Sequence, residues 1–473
     1  MYTYNKLYIN GDWQSSNTEE TIDVINPANS ELCAKTPSAA IADVDRAIAA
    51  AKQAFSQWSA TTPAERSQLI IAIADEMQNR LDDLVTAIST SMGCPKHLSV
   101  DIQVQGAIDA FRGYADMTSY VDESSTEHGV MQCHSAVGVC VLINPWNYPL
   151  SQLVGKLGPA MATGCTVVAK PAEQTPLQDL ILAEIFDKVG VPAGVFNVIT
   201  GYGYKIGEHL CSHPDVDMVS FTGSTGAGIK VAQAASTTVK RVCQELGGKS
   251  PFIITEDADL AAAVRYGVED VMINSGQTCC ALTRMLVPES LYQQAIVIAK
   301  AVAEENVVGD PQDDNVTMGP LSSSLQQKRV LDYINIGINE GAELVTGGLE
   351  IPARLQQGAY VMPTIFTNVT NDMTIAQEEI FGPVLCMIPY SDEQEAIKIA
   401  NDTVFGLSSG VFAKDANAAL QIARKIRAGQ SYIQGTYFNS HAPFGGFKQS
   451  GNGREWGIEG LREFIEVQSI IIT

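Results

Sequence analysis

What this 473-residue sequence lacks narrows its possible roles. No run of apolar residues approaches the ~18 that a membrane-spanning helix needs, so no membrane partner is expected. Basic residues are scarce: 30 Lys and Arg stand against 53 Asp and Glu, a formal charge of −23. Such a surface repels phosphates, which argues against nucleic acid or anionic lipid as a partner. The opening MYTYNKLYINGDWQ has no basic segment followed by an apolar one, so the protein is expected to be cytoplasmic. The ten cysteines (33, 94, 133, 140, 165, 211, 243, 279, 280 and 386) form no C-x-x-C pair and mostly sit in apolar runs. That pattern suits reduced, buried thiols better than a disulfide framework. Cys133 beside His134 offers two donors where structural zinc takes four, and no metal is expected. Low-complexity linkers and internal repeats are also missing, so a chain of this length reads as two or three packed domains.

What is present begins with amphipathic helices. In DVDRAIAAAKQAFSQWS, the residues Val44, Ile48, Ala51, Phe55 and Trp58 recur at spacings of four and three and make one buried stripe. The next helix starts at TPAE, where Thr62 caps, Pro63 suits the first helical position and Glu65 closes a capping box. Its stripe runs Leu69, Ile73, Met77, Leu81, Leu84, and the helix is predicted to continue to Gly93.

From about residue 137 the rhythm changes. VGVCVLI, TVVA, FNVIT and DMVSFTG are short β-branched runs, each followed by Gly, Pro or polar residues. TPLQDLILAEIFDKVG between them is helical, with Thr175 as the expected cap. Strand and helix in alternation predict parallel β-structure with crossover helices. Ligands in such sheets sit at the C-terminal strand ends, where NPWNYP, KPAEQTP and TGSTGAG fall. A second alternating region runs from about Lys249 to Phe447, with a boundary near 248 marked by LGGKSP. The stretch 118–136 is polar without helical rhythm, and EVQSIIIT reads as an edge strand with no partner nearby in sequence.

Three motifs bear on chemistry. FTGSTGAG ends a strand with glycines at 223, 226 and 228, and a helix N-terminus behind such a turn favours a pyrophosphate, although the pattern is not G-x-G-x-x-G. Lys170 and Glu173 in KPAEQTP could hold ribose hydroxyls, and a carboxylate there disfavours a 2′-phosphate, which points to NAD over NADP. FGLSSGVF has the G-x-S-x-G pattern at Ser408, but a hydrolase elbow turns from strand into helix at the serine, and here strand-like residues follow.

NSGQTCCALTR sets two cysteines side by side. Adjacent side chains diverge on a helix or a strand, so at most one thiol faces a substrate. A nucleophilic thiol needs access, a base and donors for the oxyanion it creates. Glu245 in QELGGKSP, with glycines close behind, is the candidate base. Local rules do not choose between Cys279 and Cys280.

Taken together, PWNYPL, KPAEQTP, FTGSTGAG, ELGGKSP, GQTCCA, EEIFGPV and PFGGFKQSGNGRE, in this order over nearly the whole chain, resemble the NAD(P)-dependent aldehyde dehydrogenase superfamily. The resemblance implies an α/β protein with three parts. A Rossmann-like dinucleotide-binding domain takes residues 1–117 and 137–248, and a second α/β catalytic domain takes 249–447. A small β bridging segment, 118–136 and 465–473, would join subunits into a homodimer or homotetramer.

By the same resemblance the G-Q-x-C pattern selects Cys279 as nucleophile and leaves Cys280 flanking the substrate tunnel. Glu245 becomes the general base and Asn147 the oxyanion amide. Lys170 and Glu173 are implied to hold the adenosine ribose, Gly223 and Ser224 the pyrophosphate, and Glu379 the nicotinamide ribose, with Phe381 and Trp146 beside the cofactor. Tyr148, Phe438 and Phe444 give the tunnel aromatic walls. Some relatives carry a tunnel tryptophan where this chain has Gly155, so the tunnel is expected to be roomy, and Gly226 implies a looser phosphate turn. The implied reaction is NAD-dependent oxidation of a small-molecule aldehyde, through a Cys279 thiohemiacetal and a thioester. Glu245 favours hydrolysis to the free acid over transfer to coenzyme A, a general, non-acylating aldehyde dehydrogenase activity. Two other readings use the same residues: a non-redox cysteine thioesterase or hydrolase, and a non-catalytic binding protein of the same fold.

Overall fold

Five short runs, Arg241–Glu245, Met218–Thr222, Val139–Ile143, Thr166–Lys170 and Phe196–Val198, lie side by side in that order as the parallel centre of an eight-stranded sheet. The inner strands are buried along their whole length, which is why they read as continuous apolar runs without alternation. Antiparallel strands close both edges: Gly451–Asn452 beside Arg241–Glu245, and the hairpin Leu7–Ile9 with Asp12–Gln14 beside Phe196–Val198. Val139–Ile143 comes first of the five in the chain, yet it lies between its immediate successor and Met218–Thr222. Winding therefore reverses there, and a crevice opens beyond the C-terminal ends of these two strands. The computed structural model describes residues 2–122 and 124–472. Met1, Glu123 and Thr473, which fall within the expected domain and bridging ranges, lie outside them.

The second sheet has seven strands, in the order Glu343–Thr346, Thr364–Thr367, Val384–Tyr390, Arg284–Pro288, Pro251–Ile254, Ser408–Phe412, Gln430–Ile433. All are parallel except the first. Sheet membership changes between Glu245 and Pro251. The tail does find a partner: Ile465–Ile471 pairs antiparallel with Val130–Ala136, which in turn pairs with Ser125–Glu127. Val467, Ile470 and Ile471 are exposed on that three-stranded sheet, Ile471 at 84 %. Among the described residues no helix is long and apolar enough to cross a membrane.

The first helix spans Ile41–Trp58 and buries Val44, Ile48, Ala51 and Trp58. Thr62 caps the next, accepting from the Glu65 amide while Glu65 reaches back. The single helix expected from there to Gly93 is two, Pro63–Asn79 and Leu81–Met92, broken at Arg80 where φ is −104° and ψ 18°. Arg80 leaves the helical path to reach Glu184 at 3.1 Å, an ion pair that sequence periodicity does not encode. Thr175 caps nothing: Pro176 occupies the cap position before Leu177–Val189, and the Thr175 hydroxyl is buried without a partner.

Candidate active site

The crevice at the winding reversal contains a cavity of about 140 Å³. Its walls come mainly from strand-end and loop segments, with Gln152, Gln326 and Arg329 added from helices. Pro145, Trp146 and Asn147 follow Val139–Ile143; Gly223 and Ser224 follow Met218–Thr222; Glu245, Leu246 and Gly247 follow Arg241–Glu245; Glu379 and Phe381 come from the far domain. Cys279 lines the same cavity, and Cys280 does not.

The cysteine loop is held by backbone strain and by polar contacts. After helix Leu260–Met272 the chain turns through Asn274 (φ 53°, ψ 29°) and Ser275 (φ 56°, ψ 33°), both left-handed. Non-glycine residues adopt this region at a cost of about 1–3 kcal/mol each, so the surroundings must over-determine it. They do: the Ser275 hydroxyl donates to Gly319 O at 2.8 Å, Gln277 Nε2 to Asn274 O at 3.0 Å, and the Ser322 amide to Gln277 Oε1 at 2.8 Å. Gly276 (φ 73°) allows the approach of Gly382, whose carbonyl carbon would lie 2.1 Å from an added Cβ.

Asn147 is clamped to this loop. Its amide Nδ2 donates to Gln277 O at 2.9 Å, which leaves one N–H for a ligand. Its carbonyl accepts from Asn274 Nδ2 and Gln103 Nε2, each at 3.0 Å. Gln103 is fully buried in a π-helical stretch, Ser99–Gln105, a widened turn of a kind often found at functional sites. Tyr148 shares a hydrogen bond of 2.7 Å with Thr278, the residue before Cys279.

Glu245 is 2 % exposed, and neither carboxylate oxygen has a hydrogen-bond partner. Burial pushes its carboxyl well above the ordinary range; the charge of Glu455 adds to the shift, while Lys156 and Arg454 oppose it. Glu455 and Lys156 form a fully buried ion pair at 2.9 Å, and the Thr222 hydroxyl contacts the same Glu455 oxygen at 3.3 Å. Gly445 (φ 156°) leaves room for the base, because a Cβ there would lie 2.6 Å from Glu245 Oε1. The Cys279 thiol is also raised well above its usual value, by contact with the Cys280 thiol, by burial, and by the carboxylates of Glu379 and Glu245.

The rest of the cavity suits a dinucleotide. Ser224 caps helix Thr225–Ala235, whose free amides face the strand end. Glu379 Oε1 accepts from the Gly248 amide at 2.9 Å, and a Cβ on Gly247 would lie 2.5 Å from Glu379 Oε2. Burial raises the Glu379 carboxyl. Phe381 (φ 62°) meets Trp146 edge-on at 5.3 Å. Lys170 and Glu173 stand one strand further along, outside the cavity lining, with Lys170 Nζ 3.7 Å from Glu173 Oε1. Glu173 also accepts from the Gly203 amide.

The aromatic residues expected for the tunnel, Tyr148, Phe438 and Phe444, are not among those lining this cavity. Phe438 meets Phe444 at 6.0 Å and Trp456 at 5.5 Å, both edge-on. Cys279 and Cys280 pack against the core cluster that contains Phe444 and Trp456. Gly155 does not leave a void: the Trp456 indole fills it, with ring carbons 2.9 Å from where a Cβ would sit. The expectation of a roomy tunnel at Gly155 is corrected here, since an aromatic from a remote segment occupies the space. Gly226, by contrast, has open space around it.

Sequence reading passed over several participants. Gln326 Nε2 donates to Phe381 O at 2.8 Å and Arg329 Nη2 to Glu379 O at 2.9 Å, so both brace the Glu379–Phe381 loop. Lys156, alone among apolar neighbours in the helix Pro149–Thr163, was the one legible signal, because a buried lysine requires a buried partner.

Comparison with known proteins agrees over almost the whole chain. The profile of the "Aldehyde dehydrogenase family" matches residues 13–470. A 3-succinoylsemialdehyde-pyridine dehydrogenase from a Pseudomonas species is 44 % identical over 472 residues, covering 100 % of this chain and 99 % of that one. The crystal structure of aldehyde dehydrogenase C from Pseudomonas syringae, a cysteine-to-alanine mutant in complex with NAD+ and octanal, is 45 % identical. It superposes with a TM-score of 0.98 over 99 % of this chain and 96 % of that one. A Mycobacterium tuberculosis aldehyde dehydrogenase complexed with NAD+ is 41 % identical, with a TM-score of 0.97 over 100 % of this chain and 98 % of that one.

Proposed function

The chain belongs to the aldehyde dehydrogenase family, and we propose that it oxidises apolar aldehydes to carboxylic acids with NAD, using Cys279, Asn147 and Glu245. The observation that carries this reading is the single cavity lined by all three side chains at the winding reversal of a parallel sheet. Orphaned buried carboxylate oxygens on Glu245 and the glycine cradle beside Glu379 support a dinucleotide as its occupant. Lys170 and Glu173 would hold the adenosine ribose, Gly223 and Ser224 the pyrophosphate, and Glu379 the second ribose, with Trp146 and Phe381 about the ring. NAD, when bound, supplies the acceptor for the two electrons and the hydrogen that leave the aldehyde carbon.

The chain's own groups do the rest. The Cys279 thiol loses its proton to solvent, the thiolate attacks the carbonyl carbon, and the free N–H of Asn147 meets the developing oxyanion. One such donor is worth about 3–4 kcal/mol in a water-poor site. Cys279 then retains the acyl group as a thioester. Glu245, whose carboxyl is raised by burial, takes in its ionised form a proton from the water that attacks this thioester.

The aromatic wall of Phe438, Phe444 and Trp456 supports neutral aliphatic or aromatic aldehydes over charged ones, with general aldehyde oxidation as the activity. The relative solved with octanal points the same way. Ten free cysteines support a reducing, cytoplasmic setting. The exposed apolar residues on Ile465–Ile471 support pairing with a second copy, as a dimer or tetramer. The expected division at residue 248 is supported by the change of sheet there, and the bridging segments 118–136 and 465–473 by the pairing of Val130–Ala136 with Ile465–Ile471, although 118–122 falls in the 3-10 helix Tyr114–Asp122.

A panel of aliphatic, aromatic and charged aldehydes, read as absorbance of reduced cofactor with NAD and with NADP, tests the proposal. Turnover of apolar aldehydes with NAD is the expected result. Absence of cofactor reduction across the panel, with cofactor-independent thioester cleavage instead, would overturn it.

A further inference from the structure

Away from the active-site crevice, three metal-ligating groups converge on the outer face of the dinucleotide-binding half. We propose that Asp45, His209 and His213 form a binding site for one divalent transition metal ion of the zinc class. One ligand atom from each residue lies within 4.8 Å of the others.

The expectation that the chain binds no metal passed over His209-Leu210-Cys211-Ser212-His213, two imidazoles four residues apart. His209 lies in the last turn of helix Gly203–Ser212 and His213 is its cap residue, so the spacing brings both rings to one side. Their centroids are 5.6 Å apart. Asp45 arrives from a different helix, Ile41–Trp58; its Oδ1 is 2.6 Å from His209 Nε2 and 3.6 Å from His213 Nε2. Cys211, between the histidines, points into the core cluster and takes no part.

Two imidazole nitrogens and one carboxylate oxygen are the donor set of zinc, cobalt and nickel, whereas magnesium and calcium take oxygen. His213 is largely buried and Asp45 about half exposed, so the remaining coordination position opens to water. Loading has an identifiable cost. The Asp215 amide donates to His213 Nδ1 at 3.1 Å, so coordination through Nε2 requires the ring proton to move to Nδ1 and that contact to open. That backbone contact and the 2.6 Å hydrogen bond between His209 Nε2 and Asp45 Oδ1 are both exchanged for bonds to the metal. Lys52, paired with Asp215, and Lys240, near His213, are the positive groups that oppose the ion. An ion here would tie the first helix to the helix leading into Met218–Thr222, the strand that ends at Gly223 and Ser224.

The full chain, stripped with chelator and titrated with Co²⁺, tests the site. One equivalent should give visible ligand-field absorption without the near-ultraviolet charge-transfer band of thiolate coordination. Zn²⁺ should displace it and raise Tm. Asp45→Ala, His209→Ala and His213→Ala should each weaken this binding by at least about 10-fold and remove the Tm rise, with aldehyde oxidation in metal-free buffer unchanged. Asp45→Asn and His209→Gln serve if an alanine variant folds poorly. Binding seen only with the thiolate band places the metal on cysteines and overturns the site, as does unchanged binding in the variants or uptake that never reaches a stoichiometric end point.

Discussion

The side-chain amide of Asn147 donates to the carbonyl of Gln277 at 2.9 Å, two residues ahead of Cys279. Donor and nucleophile thus share one clamp, tightened from behind by Gln103 and Asn274. Replacing Asn147 with Ala removes the oxyanion donor and loosens the loop, and the first burst of reduced cofactor should slow about 10²–10³-fold. Gln103→Ala keeps the donor but frees its backbone, so a smaller loss in burst rate is expected. Rapid-mixing absorbance separates the two.

Only one of the paired thiols faces the cavity. Cys279→Ala should abolish acid formation, whereas Cys280→Ala should retain it. The contact with Cys280 is the largest influence holding the Cys279 thiol up, so its removal lowers the pH at which thiolate forms. Iodoacetamide labelling at Cys279, followed by mass spectrometry against pH, should shift to lower pH in Cys280→Ala.

Glu245→Gln should leave the burst and stall turnover. In the unaltered enzyme, a raised carboxyl is protonated below its shifted value and inactive as a base, so deacylation should accelerate as pH rises through that value. Glu455 contributes the largest neighbouring charge to the shift, ahead of Lys156. Glu455→Gln should therefore move the deacylation profile toward acid. A profile that stays in place while Tm falls would mark Glu455 as structural only.

Trp456 occupies the space beside Gly155, and under the proposed function the two positions together set the width of the aldehyde path. Trp456→Leu should raise KM for short aliphatic aldehydes about 10-fold or more by loss of apolar contact, and should improve turnover of branched aromatic aldehydes relative to the unaltered enzyme. Gly155→Ala, whose Cβ would meet the indole at 2.9 Å, should have the opposite selectivity.

Asp270 offers a stability test separate from catalysis. Burial raises its carboxyl to about 7, opposed by the Leu282 amide, which donates to it at 2.8 Å. The folded state then keeps its proton while the unfolded state ionises, so stability is lost as pH rises from about 4 to about 7. Asp270→Asn keeps an acceptor for Leu282 and removes the ionisation. It should raise the unfolding free energy at pH 8 by on the order of 1–3 kcal/mol, seen as a higher Tm, with little change at pH 4.

The ends of the parallel strands were legible because β-branched runs stop at Gly, Pro or polar residues, and those stops carry Asn147, Gly223 and Glu245. The Cys279 loop was not, since left-handed Asn274 and Ser275 have no local signature and are held there by Gly319, Ser322 and Asn147. The choice between two adjacent thiols needed motif order, because residue spacing is the same for both. Glu455, Trp456 and Gln103 escaped notice for a related reason. Each reaches the site from a distant segment, and the strand preceding Glu455 and Trp456, Gly451–Asn452, is two residues long, too short for any periodic pattern.

That short strand begins a final stretch with several roles in sequence. Within about twenty residues the chain pairs with the strand of Glu245, presents Glu455 and Trp456, turns through helix Gly457–Arg462, and ends as Ile465–Ile471. Proteolytic trimming of the C terminus therefore threatens more than an outlying flap. The loss would travel back along one taut thread to the groups that decide how fast the acyl enzyme empties and which aldehydes gain entry.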